Sequence, residues 1–158
     1  MGKYRWRVAA VVALVVGIVG TADLVLQGTQ PEGEAFRYHR VYSDENGVSH
    51  YGDATITFEM QDFAPPASPM GVSNALPAES VTFIHVPLGW DGEWHPTPTR
   101  QWAVILSGRV EITVGDEEAR VFGPGDVILL DDTSGRGHLT NVVSPEGATV
   151  MMVPSRPE

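Results

Sequence analysis

The sequence predicts an all-β protein, a small antiparallel barrel preceded by a hydrophobic N-terminal segment. Five short apolar or alternating runs fill its second half, namely "VTFIHVPL", "WAVILSG", "RVEITVG", "ARVFGPGDVILLD" and "ATVMMVP". Turns rich in Gly, Asp and Pro separate these runs at about the 8–12-residue spacing that is typical of a sandwich or barrel. After Leu26, no stretch that is long enough to form a helix shows the helical repeat of apolar residues.

The first half predicts a hairpin followed by a long loop. "FRYHRVY" begins at Phe36 and alternates in polarity, and "VSHYGDATITFEM" resumes the β-rich composition after the tight-turn pair Asn46-Gly47. "QDFAPPASPMGVSNALPAES", residues 61–80, is rich in Pro, Ala and Ser and predicts a loop without regular structure. Loops of this length usually have a function or serve as a packing arm.

Residues 1–26 have the pattern of an export signal or a membrane anchor. Three basic residues within the first seven precede an uncharged apolar run, 8–22. Gly20 and Ala22 suit cleavage after Ala22, whereas an uncleaved run that continues to Leu26 is just long enough to span a bilayer. A buried helix of the domain is the third interpretation.

The first two interpretations place the following domain outside the cytoplasm, because the positive end of such a segment stays inside. The protein would then be periplasmic or extracellular, or anchored to the membrane, and the segment would contact the membrane or the export machinery. Residues 27–35 predict a linker, and residues 36–158 predict one barrel domain.

Composition excludes several function classes. The chain has no cysteine, which excludes disulfides, thiolate metal sites and cysteine nucleophiles. Its net charge is -10, and the part after residue 22 has seven Arg and no Lys against 20 Asp and Glu. We therefore expect a surface that repels nucleic acid and anionic membranes.

Two spaced motifs contain the candidate functional residues. The first is Gly89-x5-His95-x-Thr97-x3-Gln101-x6-Gly108. Side chains at positions i and i+2 of a strand share a face, so we expect the three polar side chains to point into the barrel together.

The second motif runs from Gly125 through Asp131 and Gly135 to His138 and Asn141. Together the two motifs resemble the cupin patterns Gly-x5-His-x-His-x3-Glu-x6-Gly and Gly-x5-Pro-x-Gly-x2-His-x3-Asn. The second contains a two-residue insertion here, and its Asn arrives one residue early. The resemblance, to a single-domain subgroup of mostly unassigned function, implies a jelly-roll barrel (a double-stranded β-helix) with a small-molecule pocket.

The resemblance also implies a divalent metal, such as Fe, Mn, Zn or Ni, held by three His and one Glu. Thr97 and Gln101 replace two of these ligands. The metal candidates are therefore His95, His138 and the weaker amide oxygen of Gln101. Asp131, Asp132 or His85 could supply a missing ligand.

The metal-free alternative is a pocket in which His95 and His138 act as catalytic acid and base. Its substrate-binding candidates are neutral polar groups, a cation and aromatic rings: Gln101, Thr97, Arg100, Trp94 and Trp102. Arg100 could instead pair with surface acids, and the tryptophans could instead close a barrel end or form a dimer contact.

These observations leave two functions open. The first is an enzyme of the isomerase, lyase or oxygenase class acting on a small polar or cyclic metabolite. The second is a non-catalytic ligand-binding or structural module that has lost the metal site. We expect a homodimer, with residues 61–80 as a candidate contact arm.

Overall fold

The computed structural model describes residues 35–90 and 92–155, which belong to one compact unit. These residues form strands and no helix, as the sequence predicts. The strands are β1 (Ala35–Ser43), β2 (Ser49–Thr57), β3 (Glu59–Gln61), β4 (Met70–Val72), β5 (Thr82–Val86), β6 (Gln101–Ser107), β7 (Val110–Thr113), β8 (Ala119–Phe122), β9 (Val127–Asp131), β10 (Leu139–Val142) and β11 (Ala148–Pro154).

Two sheets enclose the core. One has six strands in the order β2-β1-β9-β6-β11-β5, and the other has three in the order β10-β7-β8. Strands β3 and β4 form a separate hairpin. Apolar side chains from both main sheets meet in one buried cluster: Val41, Ala103, Ile105, Val110, Ile112, Val114, Phe122, Ile128, Leu130, Val142, Ala148 and Val150. The predicted all-β barrel is therefore confirmed.

The inward and outward faces of β7 follow the alternation in its sequence. Val110 and Ile112 are buried, whereas Glu111 and Thr113, which alternate with them, are only half-buried. Gly108 lies in the turn that leads into this strand, with φ of 73°. Because β7 keeps the two-residue period, one of its faces is available to line the interior of the barrel.

The predicted turn at Asn46-Gly47 connects β1 and β2. Gly47 has φ of 77°, and the Asp44 carboxylate accepts hydrogen bonds from the backbone N–H groups of Asn46 and Val48, both at 2.9 Å. Both strands then pair along their full length, from Ser43 opposite Ser49 outward.

Residues 61–80 are not the uniform loop that the sequence predicts. Glu59–Gln61 pairs with Met70–Val72 in a short hairpin. The chain then crosses the outer face of the six-stranded sheet, where Leu76 and Pro77 lie beside Trp102. It is fixed at the far side by a 3.0 Å hydrogen bond from the Glu79 N–H to the Pro154 carbonyl.

The predicted signal or anchor, residues 1–26, and all but the last residue of the linker 27–35 lie outside the described residues. Export, membrane anchoring and the location of the domain therefore stay predictions. Within 35–90 and 92–155, no helix has the length and apolar character needed to cross a membrane.

A histidine between two aspartates joins the turn after β1 to the turn after β7. His50 Nδ1 lies 2.7 Å from Asp116 Oδ2, and its Nε2 lies 3.4 Å from Asp44 Oδ2. The hydrogen bond to Asp116 raises the pKa of His50 above its ordinary value. The pKa of each aspartate is lowered, mainly because a backbone N–H donates to its carboxylate. The donor is Val48 for Asp44 and Glu118 for Asp116.

These shifts predict a stability maximum in mildly acidic solution. A raised histidine pKa stabilises the fold below about pH 6.5, and this contribution is lost as the pH rises through the folded pKa; lowered aspartate pKa values stabilise it above about pH 3.9. Between about pH 5.5 and about pH 8.5, the free energy of unfolding from urea titration should therefore fall further in the wild type than in His50→Gln.

His85→Gln is the control, because His85 Nδ1 lies 3.2 Å from the Thr149 hydroxyl instead of beside a carboxylate. It should keep the pH dependence of the wild type. An identical pH dependence in the wild type and in His50→Gln would contradict the assignment.

Candidate functional site

A backbone bridge brings the two motif histidines together. The N–H of His95 donates to the carbonyl of His138 at 3.1 Å, and the N–H of His138 donates back at 3.0 Å. Residues paired in this antiparallel way present their side chains on the same face. Their ring centroids are 4.8 Å apart.

Gly137 makes the close approach of the two chains possible. Its φ is 75°, and a Cβ at this position would lie 2.0 Å from the His95 carbonyl oxygen. Any other residue would therefore force the two backbones apart and disrupt the bridge.

A buried carboxylate orients the His138 ring. Asp132 Oδ2 lies 2.7 Å from His138 Nδ1, and the two side chains are 0% and 4% exposed. The Thr97 hydroxyl donates to the other carboxylate oxygen, Oδ1, at 2.6 Å. Because a carboxylate only accepts, His138 Nδ1 carries a hydrogen, and in the neutral ring Nε2 keeps a lone pair.

Backbone carbonyls orient the His95 ring in the same tautomer. His95 Nδ1 lies 3.0 Å from the Gly92 carbonyl and 2.9 Å from the Glu93 carbonyl. A carbonyl oxygen cannot donate, so Nδ1 donates here as well. The Nε2 atoms of both histidines are thus left as acceptors.

The two histidines line a cavity of about 280 Å³ inside the barrel. Its walls are mainly apolar side chains from both sheets, and no Asp, Glu, Lys or Arg is among the described residues that line it. The lining residues are Ile84, Val86, Trp90, His95, Thr97, Pro98, Gln101, Ala103, Ile105, Val110, Ile112, Ile128, Leu130, His138, Thr140, Val150 and Met152. Such a cavity favours a ligand that is largely apolar and has few polar groups.

The cavity opens to solvent beside β5 and the turn that follows it. Ile84 and Trp90 line the cavity, yet they remain 40% and 41% exposed. Apolar groups at this mouth are therefore in contact with water.

The comparison with known families agrees with this architecture. The family described as "Cupin domain" matches residues 82–154, which contain both histidines and strands β5 to β11. Residues 82–154 therefore form a cupin domain. No curated protein matches the sequence.

Three solved structures are similar to this cupin. A conserved protein of unknown function from Streptococcus pyogenes is 27% identical with a TM-score of 0.40, and the match covers 49% of this chain and 64% of that protein. The cupin domain of Schizosaccharomyces pombe Cnp3 is 11% identical with a TM-score of 0.40, covering 77% and 84%. A putative ethanolamine utilization protein Q from Salmonella typhimurium is 14% identical with a TM-score of 0.33, covering 78% and 98%.

The described residues of this cupin do not fit the metal that its sequence motifs imply. Within 35–90 and 92–155, no group of three or more His, Cys, Asp and Glu side chains is placed to hold an ion. His95 and His138 could supply two ligands. The Thr97 hydroxyl, however, donates to one Asp132 oxygen, and His138 donates to the other, so these groups already have partners. Gln101 adds only a neutral amide, whereas the usual three-ligand sites are completed by a third histidine or a carboxylate.

Several predicted site residues lie outside the cavity. Arg100 donates to Ser155 Oγ at 3.2 Å and lies 3.7 Å from Asp131, and it lines a separate groove on the outer face of the six-stranded sheet together with Trp102. Trp94 stacks beneath the Arg136 guanidinium, 3.6 Å from the ring centroid. The structure thus does not bring these three substrate-binding candidates together with the histidines.

The candidates for a missing metal ligand are also engaged elsewhere. Asp131 pairs with Arg40 on the outer face, His85 contacts Thr149, and Asp132 supports His138. By contrast, Thr140 lines the cavity, although it is not one of the motif residues. It shares its parity with His138 two residues earlier, which is the signal that could have identified it.

The Thr97 hydroxyl should contribute measurably to stability, because within residues 35–90 and 92–155 it is the side-chain donor to the buried Asp132 Oδ1. Thr97→Val keeps the shape of the side chain and should lower the free energy of unfolding by about 1–3 kcal/mol. Urea titration measures this change.

Thr97→Ser keeps the hydroxyl and is the matched control. It should be more stable than Thr97→Val, although it loses one methyl group. If the two variants reverse this order, the hydroxyl is not what satisfies the carboxylate.

Proposed function

We propose that this domain binds a small, mostly apolar molecule with one polar group, and that His138 acts on that molecule as a general base. The observation that carries the proposal is the common orientation of the two rings, since both donate through Nδ1 and both line the cavity. The cupin fold itself supports a small-molecule-binding domain.

Asp132 gives His138 the support that a general base needs. A hydrogen-bonded carboxylate behind an imidazole fixes its tautomer and stabilises the positive charge that forms when Nε2 accepts a proton. The carboxylate is 0% exposed, so water does not compete for its hydrogen bonds. His95, at a ring-to-ring distance of 4.8 Å, can receive or return a proton beside it.

The chemistry that this pair favours is proton transfer. Two bases that face one cavity can remove a proton from one position of a bound molecule and deliver it to another, as an isomerase does. They can also remove a proton next to a leaving group, as a lyase does. An oxygenase that uses the family metal would need a donor set that the described residues do not provide.

The lining changes the expected ligand from a polar metabolite to an amphipathic one. Apolar walls gain from contact with a hydrocarbon or an aromatic ring. The Gln101 amide and the Thr140 hydroxyl can fix one polar group beside the histidines. A sugar or a multiply charged compound would leave most of its polar groups without partners there.

The test uses 2-tetralone, a mostly hydrocarbon ketone whose α-protons exchange when a base removes them. In D2O, proton NMR should show that the wild type accelerates this exchange about 10²-fold or more relative to His138→Gln. Asp132→Asn should also lose most of the rate, because its amide no longer fixes the ring. His85→Gln, changed on the outer face, should match the wild type.

Circular dichroism of each variant excludes loss of fold as the cause. Exchange that is equal in the wild type and in His138→Gln contradicts the general-base role. If 2-tetralone binds saturably without any exchange, the non-catalytic binding module replaces the enzyme; if it does not bind, the ligand chemistry proposed here is wrong.

A further inference from the structure

The β3–β4 hairpin exposes apolar side chains to water. Met60, Phe63 and Met70 are 72%, 67% and 41% exposed. Among the described residues, β3 and β4 pair only with each other. Because an isolated two-stranded hairpin is at best marginally stable in water, this one requires a surface to pack against.

A second exposed apolar surface surrounds β5. This strand is an edge of the six-stranded sheet and pairs with β11 alone among the described strands. Val81, Phe83 and Leu88 are more than half exposed. Phe83 lies on the outer face of β5 and Ile84 next to it lines the cavity, so both faces of this edge strand expose apolar side chains. Residues 80–90 contain no Asp, Glu, Lys or Arg, although exposed edge strands are usually protected by charge.

Exposure of large apolar side chains is concentrated in these two places. Of the 13 such side chains among the described residues, eight lie either on the hairpin or between residues 81 and 90. Exposed apolar side chains that cluster in this way indicate an interaction surface, whereas singly scattered ones are normal for a protein surface.

We propose that this protein forms a homodimer in which the β3–β4 hairpin of each protomer packs against β5 of its partner and closes the mouth of the partner's cavity. The closure of a ligand site rests on the proposed function, whereas the contact itself does not. The partner would thereby add apolar hairpin side chains beside Ile84 and Trp90, which a single chain leaves in contact with water.

The sheet order favours a second copy over the same chain. The hairpin continues directly from β2, at one edge of the six-stranded sheet, and β5 is the opposite edge. Five strand spacings of about 4.8 Å separate these edges. A two-fold axis can place each hairpin on the partner's β5, so that one self-complementary contact covers both apolar surfaces.

Charge disfavours a membrane as the occupant. The hairpin carries Glu59 and Asp62 and no basic residue, so an anionic lipid surface would repel it. Residues 80–90, which include β5, contain no acidic residue and therefore do not repel an acidic hairpin.

Because the chain has no cysteine, introduced cysteines report the contact cleanly. Full chains with Phe63→Cys and with Phe83→Cys, carrying different tags, are mixed and treated with a short bismaleimide. The mixture should give a heterodimer in much higher yield than the control mixture of Phe63→Cys with Val121→Cys. Val121 is 53% exposed on β8 of the other sheet.

Sedimentation equilibrium gives an independent measurement. The wild-type chain should be a dimer, Phe83→Asp should shift toward the monomer, and Val121→Asp should remain a dimer. Every variant keeps the same N-terminal segment, so any difference between the two aspartate variants arises from β5.

Three results would overturn the proposal: equal cross-linking in both mixtures, a monomeric wild type, or a dimer that Phe83→Asp does not weaken. A wild type that sediments with phosphatidylglycerol vesicles while Phe83→Asp does not would assign β5 to a membrane and also overturn it. Neither measurement uses 2-tetralone, so failure of the ketone test leaves the dimer standing, and the reverse also holds.

Discussion

The candidate site depends on one buried carboxylate. Asp132 is fully buried, and a charge in that position is costly unless each of its oxygens is hydrogen-bonded. The Thr97 hydroxyl and His138 Nδ1 supply those bonds. The hydrogen bonds that make burial of Asp132 tolerable are therefore also the ones that hold the His138 ring with Nε2 as its acceptor.

This arrangement gives a physical role to the two departures from the cupin ligand pattern. Thr97 stands where a histidine ligand is expected, and its hydroxyl instead satisfies Asp132. Gln101 stands where a glutamate is expected and lines the cavity as a neutral amide. A negative charge is thus placed behind His138 rather than inside the cavity, which suits an apolar ligand.

The sequence predicted the barrel and the inward placement of His95, Thr97 and Gln101, because a strand alternates its faces with a period of two. The same parity accounts for Arg100 and Trp102, which fall on the outer face. Spacing shows where a side chain points but not what it contacts, so the partnership of Asp132 with Thr97 was not predictable. Nor was the β3–β4 hairpin, whose Pro- and Ala-rich sequence has weak strand preference.

Nitrogen-15 NMR of protein with labelled histidine tests the central claim most directly, because the ring nitrogen shifts identify the tautomer. In their neutral forms, His95 and His138 should both carry the hydrogen on Nδ1. In Asp132→Ala, only His138 should lose this preference, since the carbonyls that hold His95 remain. A His138 ring protonated at Nε2 in the wild type, or unaffected by the loss of Asp132, would contradict the account.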